Sequence, residues 1–518
     1  MRMTNKIMQN NSLYNINNNK ILQDKLSTMM STQKKLTRPS DDPIIAIRAL
    51  RLRTSVSELT QYNDRNAKDA DAWLTVTEDA LSTASEIIGG GNGLIKQMQK
   101  AANKDLTPTD INIIMEQIKS LRDEVYATAN VDYAGRYIFT GFRTDTPLSF
   151  TKDVLTQDLS YQITEQLDIK AFDRINYTDL KQLADISKSN YLDFPNIVEQ
   201  DIENVNIWRL RLSYDEISAV NGSVMLSIAG FGDIPLNAAS IASSPDPYQQ
   251  IKALNEATPP QAGAIFIPET GEILMTNVSY DVIKDLGPDT AINVTYDKDS
   301  WKEGDLRPEH YFACISTEVK DDGTTKVINY NPEYLTGGTN GQIIEYDVGY
   351  NQRIRINTLA EDVFQHTMKR NVDDLDKAVG ELMEIQRIVD DLRGVLGNLS
   401  EGTAEHTLVR KQLDAAQKAY DFIRNNVHRM FEDSITVMQK ALDDINVAVT
   451  DSGTRSARLD LISNRLLSQK TTFEVLRSEN EDIDIAEVAI KLTSTELSYN
   501  AALMATGKIM QTSLMNFI

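Results

Sequence analysis

Chemistry in this chain would have to come from a small set of residues, and their spacing argues against each site they might form. The four histidines, His310, His366, His406 and His428, stand singly. With no HExxH pair, and no Cys or acidic companion at metal-ligand spacing, they read as solvated or partly buried helix residues. Cys314, in HYFACIS, has no His/Asn arrangement assignable to it and reads as a buried strand residue, not a nucleophile. No GxSxG elbow is present. Gly89-Gly90-Gly91-Asn92-Gly93 lacks the GK[ST] ending of a phosphate loop and does not match GxGxxG, so it reads as a break or loop in a helix. The acidic residues Glu479, Glu481, Asp482 and Asp484 lack the glycine turn and the loop spacing of an EF-hand, and helix capping accounts for them. Asp41 and Asp42 are adjacent in a turn, where two carboxylates rarely face one substrate, while a helix cap needs only one of them. No catalytic, cofactor-binding or metal-binding residue is therefore assigned, and an enzyme is not expected.

The elements around these residues are legible from composition. The chain has 518 residues, 53 Lys and Arg against 75 Asp and Glu, and a net charge of −22. That charge disfavours a nucleic acid or an anionic membrane surface as partner. At 41% hydrophobic and 25% charged the chain is too apolar for disorder. No apolar run approaches the ~18 residues of a membrane span. One cysteine excludes an intramolecular disulfide framework. The beginning, MRMTNKIMQNNSLYNINNNK, turns Asn-rich where a cleavable signal would be apolar, so the expectation is a protein that stays inside or leaves by another route.

Proline costs about 3 kcal/mol inside a helix, which makes its distribution informative. Eleven of the fourteen prolines lie between Pro147 and Pro332, three (Pro39, Pro43, Pro108) precede them, and none follows Pro332. The expected fold is thus α+β, with long paired N- and C-terminal helices flanking an inserted β-rich domain over 146–350. Within the insert, Trp208, Leu210 and Leu212 alternate with Arg209 and Arg211 at the strand period, as do Ile292, Val294 and Tyr296. Asn221-Gly222 predicts a hairpin between DEISAV and SVMLSI, and Pro268-Glu269-Thr270-Gly271 another between AIFI and EILM. QIIEYDV and RIRIN form a closing pair.

Beyond the insert, Thr358-Leu359-Ala360-Glu361 has the form of a capping box, which predicts that a long helix starts there. Val372, Leu375, Val379, Leu382, Ile385, Val389, Leu392 and Leu396 continue it as a stripe, and a turn over Gly397 to Gly402 leads to a second stripe from Tyr420 to Val449. The two predict an antiparallel hairpin. At the front, Leu22, Leu26, Met29 and Leu36 fit a heptad seam; Pro39 to Pro43 interrupts it, and Asp42 as N-cap with Pro43 at the first helical position restarts a helix. At the far end Asp484 and Glu487 predict a helix start, followed by Val488, Leu492, Leu503, Met510, Leu514 and Phe517. Terminal helices with nothing local to bury them must pair with each other or with copies of themselves.

The segments Arg38-Pro39-Ser40-Asp41-Asp42-Pro43, QYNDRN with Asn66, and Ala129-Asn130 leading to Gly135-Arg136-Tyr137-Ile138-Phe139-Thr140-Gly141 resemble the flagellin family. Ser452-Gly453-Thr454-Arg455, Glu481 to Glu487 and the ending SLMNFI agree with it. RPSDDP stands where filament subunits carry NSAxDDAAGLAI, and the glutamine-rich ending of those subunits is absent, so the pattern resembles the members that join hook to filament. The resemblance implies a structural adapter of the bacterial flagellum, exported by the flagellar type III apparatus and folding on assembly. Implied partners are copies of itself in a ring, a neighbouring hook-associated junction protein, flagellin or the filament cap, and an export chaperone. The location implied is extracellular, at the junction. Implied domains are a terminal helical inner domain (1–40 with 456–518), a long-helix bundle (41–145 with 351–455) and a variable outer domain (146–350). Residues expected to serve assembly and packing are Arg38, Pro39, Ser40, Asp41, Asp42, Pro43, Asn66, Gly135, Arg136, Tyr137, Phe139, Gly141, Asp484, Leu503, Leu514 and Phe517. Asn66 would fix register at a helical seam, and Tyr137 and Phe139 would pack from one strand face onto the long helices. The filament subunit is the alternative.

Overall fold

The computed structural model describes residues 5–515 except 37, 153–157, 219–223, 230–231, 289, 320–323 and 337–340. The first part of the chain is helical: α1 (Asn5–Thr32), α2 (Pro43–Gln61), a π-helical turn (Tyr62–Ala67), α3 (Lys68–Gly89), α4 (Leu94–Ala101) and α5 (Pro108–Thr128). The short strands β1 (Asp132–Tyr133) and β2 (Arg136–Tyr137) follow, then β3 (Asp158–Leu167), β4 (Phe172–Asp179), β5 (Glu203–Arg211), β6 (Met225–Ile228), β7 (Gly232–Pro235) and β8 (Asn237–Ala238). Next come α6 (Pro247–Glu256), β9 (Ala264–Ile267), β10 (Glu272–Met275), α7 (Asn277–Asp285), β11 (Ile292–Lys298), β12 (Ala313–Val319), β13 (Thr325–Tyr330), β14 (Glu345–Gly349) and β15 (Gln352–Arg355). The chain ends in α8 (Ala360–Val363), α9 (His366–Leu396), α10 (Ala404–Glu481) and α11 (Ile485–Met515). The architecture is α+β, with long terminal helices and a β-rich insert. No helix among the described residues is long and apolar enough to cross a membrane.

Two compact units form: Met1–Asp71 with Tyr346–Ile354 and Ala457–Ile518, and Ala72–Glu345 with Arg355–Ser456. The second holds two packed sheets, of strand orders β4-β5-β10-β9-β8 and β13-β12-β3-β11-β6-β7, antiparallel except for the parallel pair β8 and β9. Leu210, Ile273 and Phe266 from one sheet meet Ile163, Val294 and Tyr296 from the other, so alternate residues of each strand build the sandwich core. On the opposite face of the five-stranded sheet, α6 covers Ile207, Ile265 and Leu274 with Tyr248 and Ile251. α5 lies along α9, with Arg122 paired to Asp373 at 2.6 Å and the Tyr126 hydroxyl donating to the Gln365 carbonyl at 2.6 Å.

Several sequence expectations hold. β9 and β10 form the hairpin expected across Pro268 to Gly271. Asp42 caps α2, with Pro43 as its first residue. α3 ends at Gly89 and α4 starts after Gly93, so the glycine run is a loop. A Cβ at Gly93 would lie 2.6 Å from the Ile87 carbonyl oxygen, a crowding only glycine escapes. Arg393 Nη2 donates to Gln417 at 2.7 Å across the turn joining α9 and α10, as an antiparallel hairpin requires.

Other expectations are corrected. The long helix starts at His366, not at Thr358: the capping-box residues lead into the four-residue α8, whose N-cap Leu359 offers no side-chain bond. The break at Phe364 buries that ring completely against Phe139, and burial of a phenyl group outweighs helix continuation. Asp215 to Ser218 of the DEISAV segment are not in a strand; β6 pairs with β7 and β11, and Ala219 to Gly222, with the expected Asn221-Gly222 turn, lie outside the described residues. The strand period left open what covers the arginine face of β5. Arg209 is buried, because α9 brings Asp374 against that face of the sheet. The histidines also differ from expectation: His310 sits in a 3-10 turn, and His310, His366 and His428 are buried.

Candidate functional site

The residues singled out by sequence fall into two places, one in each unit. In the first unit α1 and α11 pair antiparallel, since Gln23 faces Glu496 while Lys34 faces Asp482. The pair buries Leu26 and Val488 from the expected seams. It leaves two heptad rows bare. Ile7, Tyr14 and Ile21 on α1 are 49%, 68% and 60% exposed, and Ile490, Leu497 and Met504 on α11 are 71%, 70% and 74% exposed. Large side chains repeating every seventh residue form one continuous stripe along a helix, and monomeric soluble proteins rarely leave such a stripe open to water. Leu503, at 44% exposure, borders the α11 row. The side chain of Leu514, and all of Phe517, lie outside the described residues.

An elbow connects α1 to α2 on one side and α10 to α11 on the other. Lys35 N–H donates to the Glu481 carbonyl at 2.7 Å and Ile483 N–H to the Gln33 carbonyl at 3.2 Å, so the two linkers meet as a short two-stranded contact. Lys34 binds Asp482, and Arg53 grips Glu481 with two bonds of 2.6 and 2.7 Å. The Arg53 bonds hold the Glu481 carboxyl below its usual range, and Lys34 does the same to Asp482. The RPSDDP segment is a turn plus a cap: Asp41 accepts from Arg38 N–H at 3.1 Å, and Asp42 accepts from Ile44 and Ile45 N–H at 3.0 and 3.1 Å. Arg38, Pro39, Ser40, Asp41 and Pro43 are exposed. Asp484 accepts from Ala486 and Glu487 N–H at 2.9 and 3.2 Å, starting α11. Glu487 itself turns to Lys491 at 2.5 Å.

Farther along α2, the π-helical turn adds a residue to the helix repeat and rotates polar side chains to both sides. Asn63 accepts from the Ser463 hydroxyl at 2.7 Å, and Asp64 pairs with Lys470 at 2.6 Å. Asn66 donates to the Asp347 carbonyl at 2.7 Å, on the hairpin of β14 and β15. The partner of Asn66 is thus backbone of that hairpin, while Asn63 and Asp64 make the helix-to-helix bonds that sequence reasoning missed. Their signal was present as the run of polar residues Asn63 to Asn66 within QYNDRN.

In the second unit Ala134 and Gly135, at φ 53° and 76°, turn the chain between β1 and β2, which puts Arg136 over the Trp73 ring at 4.9 Å. The strand ends at Tyr137, which is half-buried. Phe139 is 1% exposed and meets Phe364 edge-on at 5.1 Å, and its carbonyl accepts from Ala360 N–H at 3.0 Å. Gly141, at φ 63°, lies so close to Gln342 that a Cβ there would clash, and Gln342 Oε1 accepts from Phe142 N–H at 3.3 Å. Seven of the named residues therefore hold local geometry by cap, turn or packing, among them Asp41, Asp42 and Asp484 in the first unit and Gly135, Arg136, Phe139 and Gly141 in the second. Among the described residues no group of three His, Cys, Asp or Glu side chains is placed to hold a metal. Burial pushes the Cys314 thiol up, away from nucleophilic reactivity.

Residues 3–144 match the family described as the bacterial flagellin N-terminal helical region. The chain is 30% identical over 152 residues to flagellar hook-associated protein 3 of Salmonella typhimurium, a match spanning 28% of this chain and 45% of that protein. It is 31% identical over 147 residues to the protein of the same name from Escherichia coli, with the same two shares. It is 25% identical over 189 residues to a flagellin of Clostridium tyrobutyricum, spanning 36% of this chain and 47% of that one. The matches thus span less than half the length of these relatives. A solved structure of flagellar hook associated protein-3 from Legionella pneumophila aligns over 82% of this chain and 98% of its own, at 13% identity and a TM-score of 0.27.

Proposed function

We propose that this chain, which carries a flagellin N-terminal helical region over residues 3–144, is a structural adapter of the bacterial flagellum that joins the hook to the filament. The observation that carries the reading is the pair of bare heptad rows on α1 and α11. Helices of 28 and 31 residues that pair with each other and still expose a second stripe are built to be completed by neighbours. Copies of the chain in a ring supply them in this proposal. A neighbouring hook-associated protein and flagellin or the filament cap lie beyond the ring on either side. The chain would leave the cell through the flagellar type III apparatus, escorted by an export chaperone, and its terminal helices would complete their fold on assembly. Residues 1–40 with 456–518 would form the inner layer, 41–145 with 351–455 the next, and the β-rich residues 146–350 the outer one. The elbow residues Arg38 to Pro43 and Asp484 set the direction of α1 and α11 in that arrangement, and Asn66 ties the hairpin to the same helices.

Immunogold electron microscopy on detached flagella, with an antibody against the β-rich insert, tests the proposal. A single labelled band at the hook-filament boundary is the expected result. Label along the whole filament would make the chain a filament subunit, the reading to which the flagellin match of 25% identity lends some weight. Removing the last eight residues should block incorporation while the insert stays folded, and normal incorporation of that truncation would sink the inner-layer assignment.

A further inference from the structure

Two of the buried histidines have no part in assembly as described, and they sit at one place, the neck where the chain enters and leaves the paired sheets. The entering segment is held by three backbone bonds: Phe150 N–H to the Asp305 carbonyl at 2.8 Å, Arg307 N–H to the Leu148 carbonyl at 2.9 Å, and Gly304 N–H to the Phe150 carbonyl at 3.0 Å. His310 Nε2 lies 3.3 Å from the Pro147 carbonyl of that segment, and its Nδ1 is buried without a partner. The leaving segment ends at His366, the first residue of α9. Its ring is enclosed by those of Tyr214, Tyr311 and Phe312, with centroids at 4.9, 4.6 and 5.3 Å, and its Nε2 is buried without a partner.

Around the His366 ring the tyrosine hydroxyls are already engaged. The hydroxyls of Tyr214 and Tyr311 donate to the Leu306 and Phe364 carbonyls at 2.8 and 2.7 Å. One turn along α9 stand Lys369 and Arg370, both cations. Of the carboxylates around these rings, Asp305 is engaged by Lys369 at 2.6 Å, Asp373 by Arg122 at 2.6 Å, and Glu165 by Ser213 N–H at 3.0 Å and by the Tyr296 hydroxyl, while Glu361 acts on the Tyr311 ring that packs against His366. Beside His310, Arg307 holds Glu309 through Oε1 alone at 2.7 Å and leaves Oε2 buried without a hydrogen bond; burial together with the Arg307 and Arg143 cations outweighs the help that carboxylate gives a charged ring.

We propose that His310 and His366 form an acid-operated latch at the neck of the insert, closed while both rings are neutral and opened by proton uptake, so that the entering and leaving segments separate from 304–312 before either sheet unfolds. Burial holds His366 down to about 3 and His310 down to about 4, against the usual 6.5 that each regains in an open neck. A folded-state value below the open-state value means that the closed form is fully stable above pH 6.5 and loses ground as pH falls toward 4. Between pH 7 and pH 5 each histidine shifts the closed-to-open ratio by about 25-fold, and the pair by about 600-fold.

Hydrogen exchange on the full chain at pH 7 and pH 5, normalised for the intrinsic rate, reads this directly. Protection of the Phe150, Gly304 and Arg307 amides should fall by about 600-fold on acidification, while the ladder between β3 and β11 keeps its protection. The double variant His366→Phe with His310→Gln should abolish the fall, and His406→Gln, at a half-exposed helix position, should leave it unchanged. The proposal is overturned if the wild-type neck stays protected at pH 5, if neck and ladder lose protection together, or if the double variant shows the wild-type pH dependence. Should the double variant not fold at pH 7, the wild-type comparison of neck with ladder decides alone.

Discussion

Replacing Phe139 by Ala tests the packing at the point where the AN...GRYIFTG segment meets the start of the long helices. Phe139 is 1% exposed and stands edge-on to Phe364, itself fully buried, at 5.1 Å and 77°. A buried aromatic ring covers about 150 to 250 Å², which at about 25 cal/mol per Å² gives about 4 to 6 kcal/mol. Residual burial in the unfolded chain lowers that by roughly 10 to 40%, so about 3 to 5 kcal/mol is expected, as core Phe→Ala changes generally cost. The Ala360 amide reports it, because it donates to the Phe139 carbonyl at 3.0 Å. Its hydrogen exchange should accelerate by about two to four orders of magnitude, at about 1.4 kcal/mol per decade. Phe139→Leu keeps most of the volume and loses the ring pair, so it should cost about 1 kcal/mol. Tyr137→Ala, at a half-buried position, should cost less than Phe139→Ala. An acceleration below tenfold in Phe139→Ala, or a larger one in Tyr137→Ala, would refute the placement of Phe139 in the core.

Arg209 bonds Asp173, Glu272 and Asp374 from a buried position, so Arg209→Met should cost about 3 to 5 kcal/mol by leaving those carboxylates unpaired; denaturant unfolding of the full chain measures it. Despite desolvation, the Arg209 charge pulls Glu272 below its usual range to about 2. Its stabilising contribution is therefore present above pH 4.5 and lost as pH falls toward 2, and Glu272→Gln should flatten that part of a stability-against-pH curve. Asp42→Ala removes two cap bonds to α2 and should cost about 1 kcal/mol, visible as faster exchange at the Ile44 and Ile45 amides. Asn66→Leu loses one bond to the Asp347 carbonyl and should cost about 1 kcal/mol, read as faster exchange in the hairpin of β14 and β15, with unchanged exchange there counting against its tie.

How much of this was legible in the sequence follows from what a period can encode. Alternation in β11 and the turn residues between β9 and β10 report local geometry, and the structure agrees with both. The burial of Arg209 was not legible because alternation records which residues share a face, not what covers that face; Asp374, 165 positions later, decides it. The Thr358 capping box failed for a related reason, since the local signal was real but lost to the burial of Phe364, a contact with Phe139 more than two hundred positions away. At the elbow, Asp42 and Asp484 were legible as caps because a cap is a local bond. The Arg53–Glu481 and Lys34–Asp482 pairs were not, because both link the two ends of the chain.

The two units bury their apolar residues to different degrees, and this bears on the proposed role more than any single motif. In the second unit the sandwich core is closed from both sheets, α6 and α9 cover the outer face of the five-stranded sheet, and Arg209 there is paired with Glu272 and Asp374. In the first unit the helices are as long, but after pairing, α1 and α11 still present Ile7, Tyr14, Ile21, Ile490, Leu497 and Met504 to water. Burying an exposed Leu-sized side chain contributes about 1.5 to 3 kcal/mol, and six such residues per chain, repeated around an assembly, supply a driving force that no lone subunit can realise. In the proposed assembly such a chain would complete its terminal helices only when neighbours arrive. Those apolar rows are a cost in the free subunit and an advantage only in the assembled one.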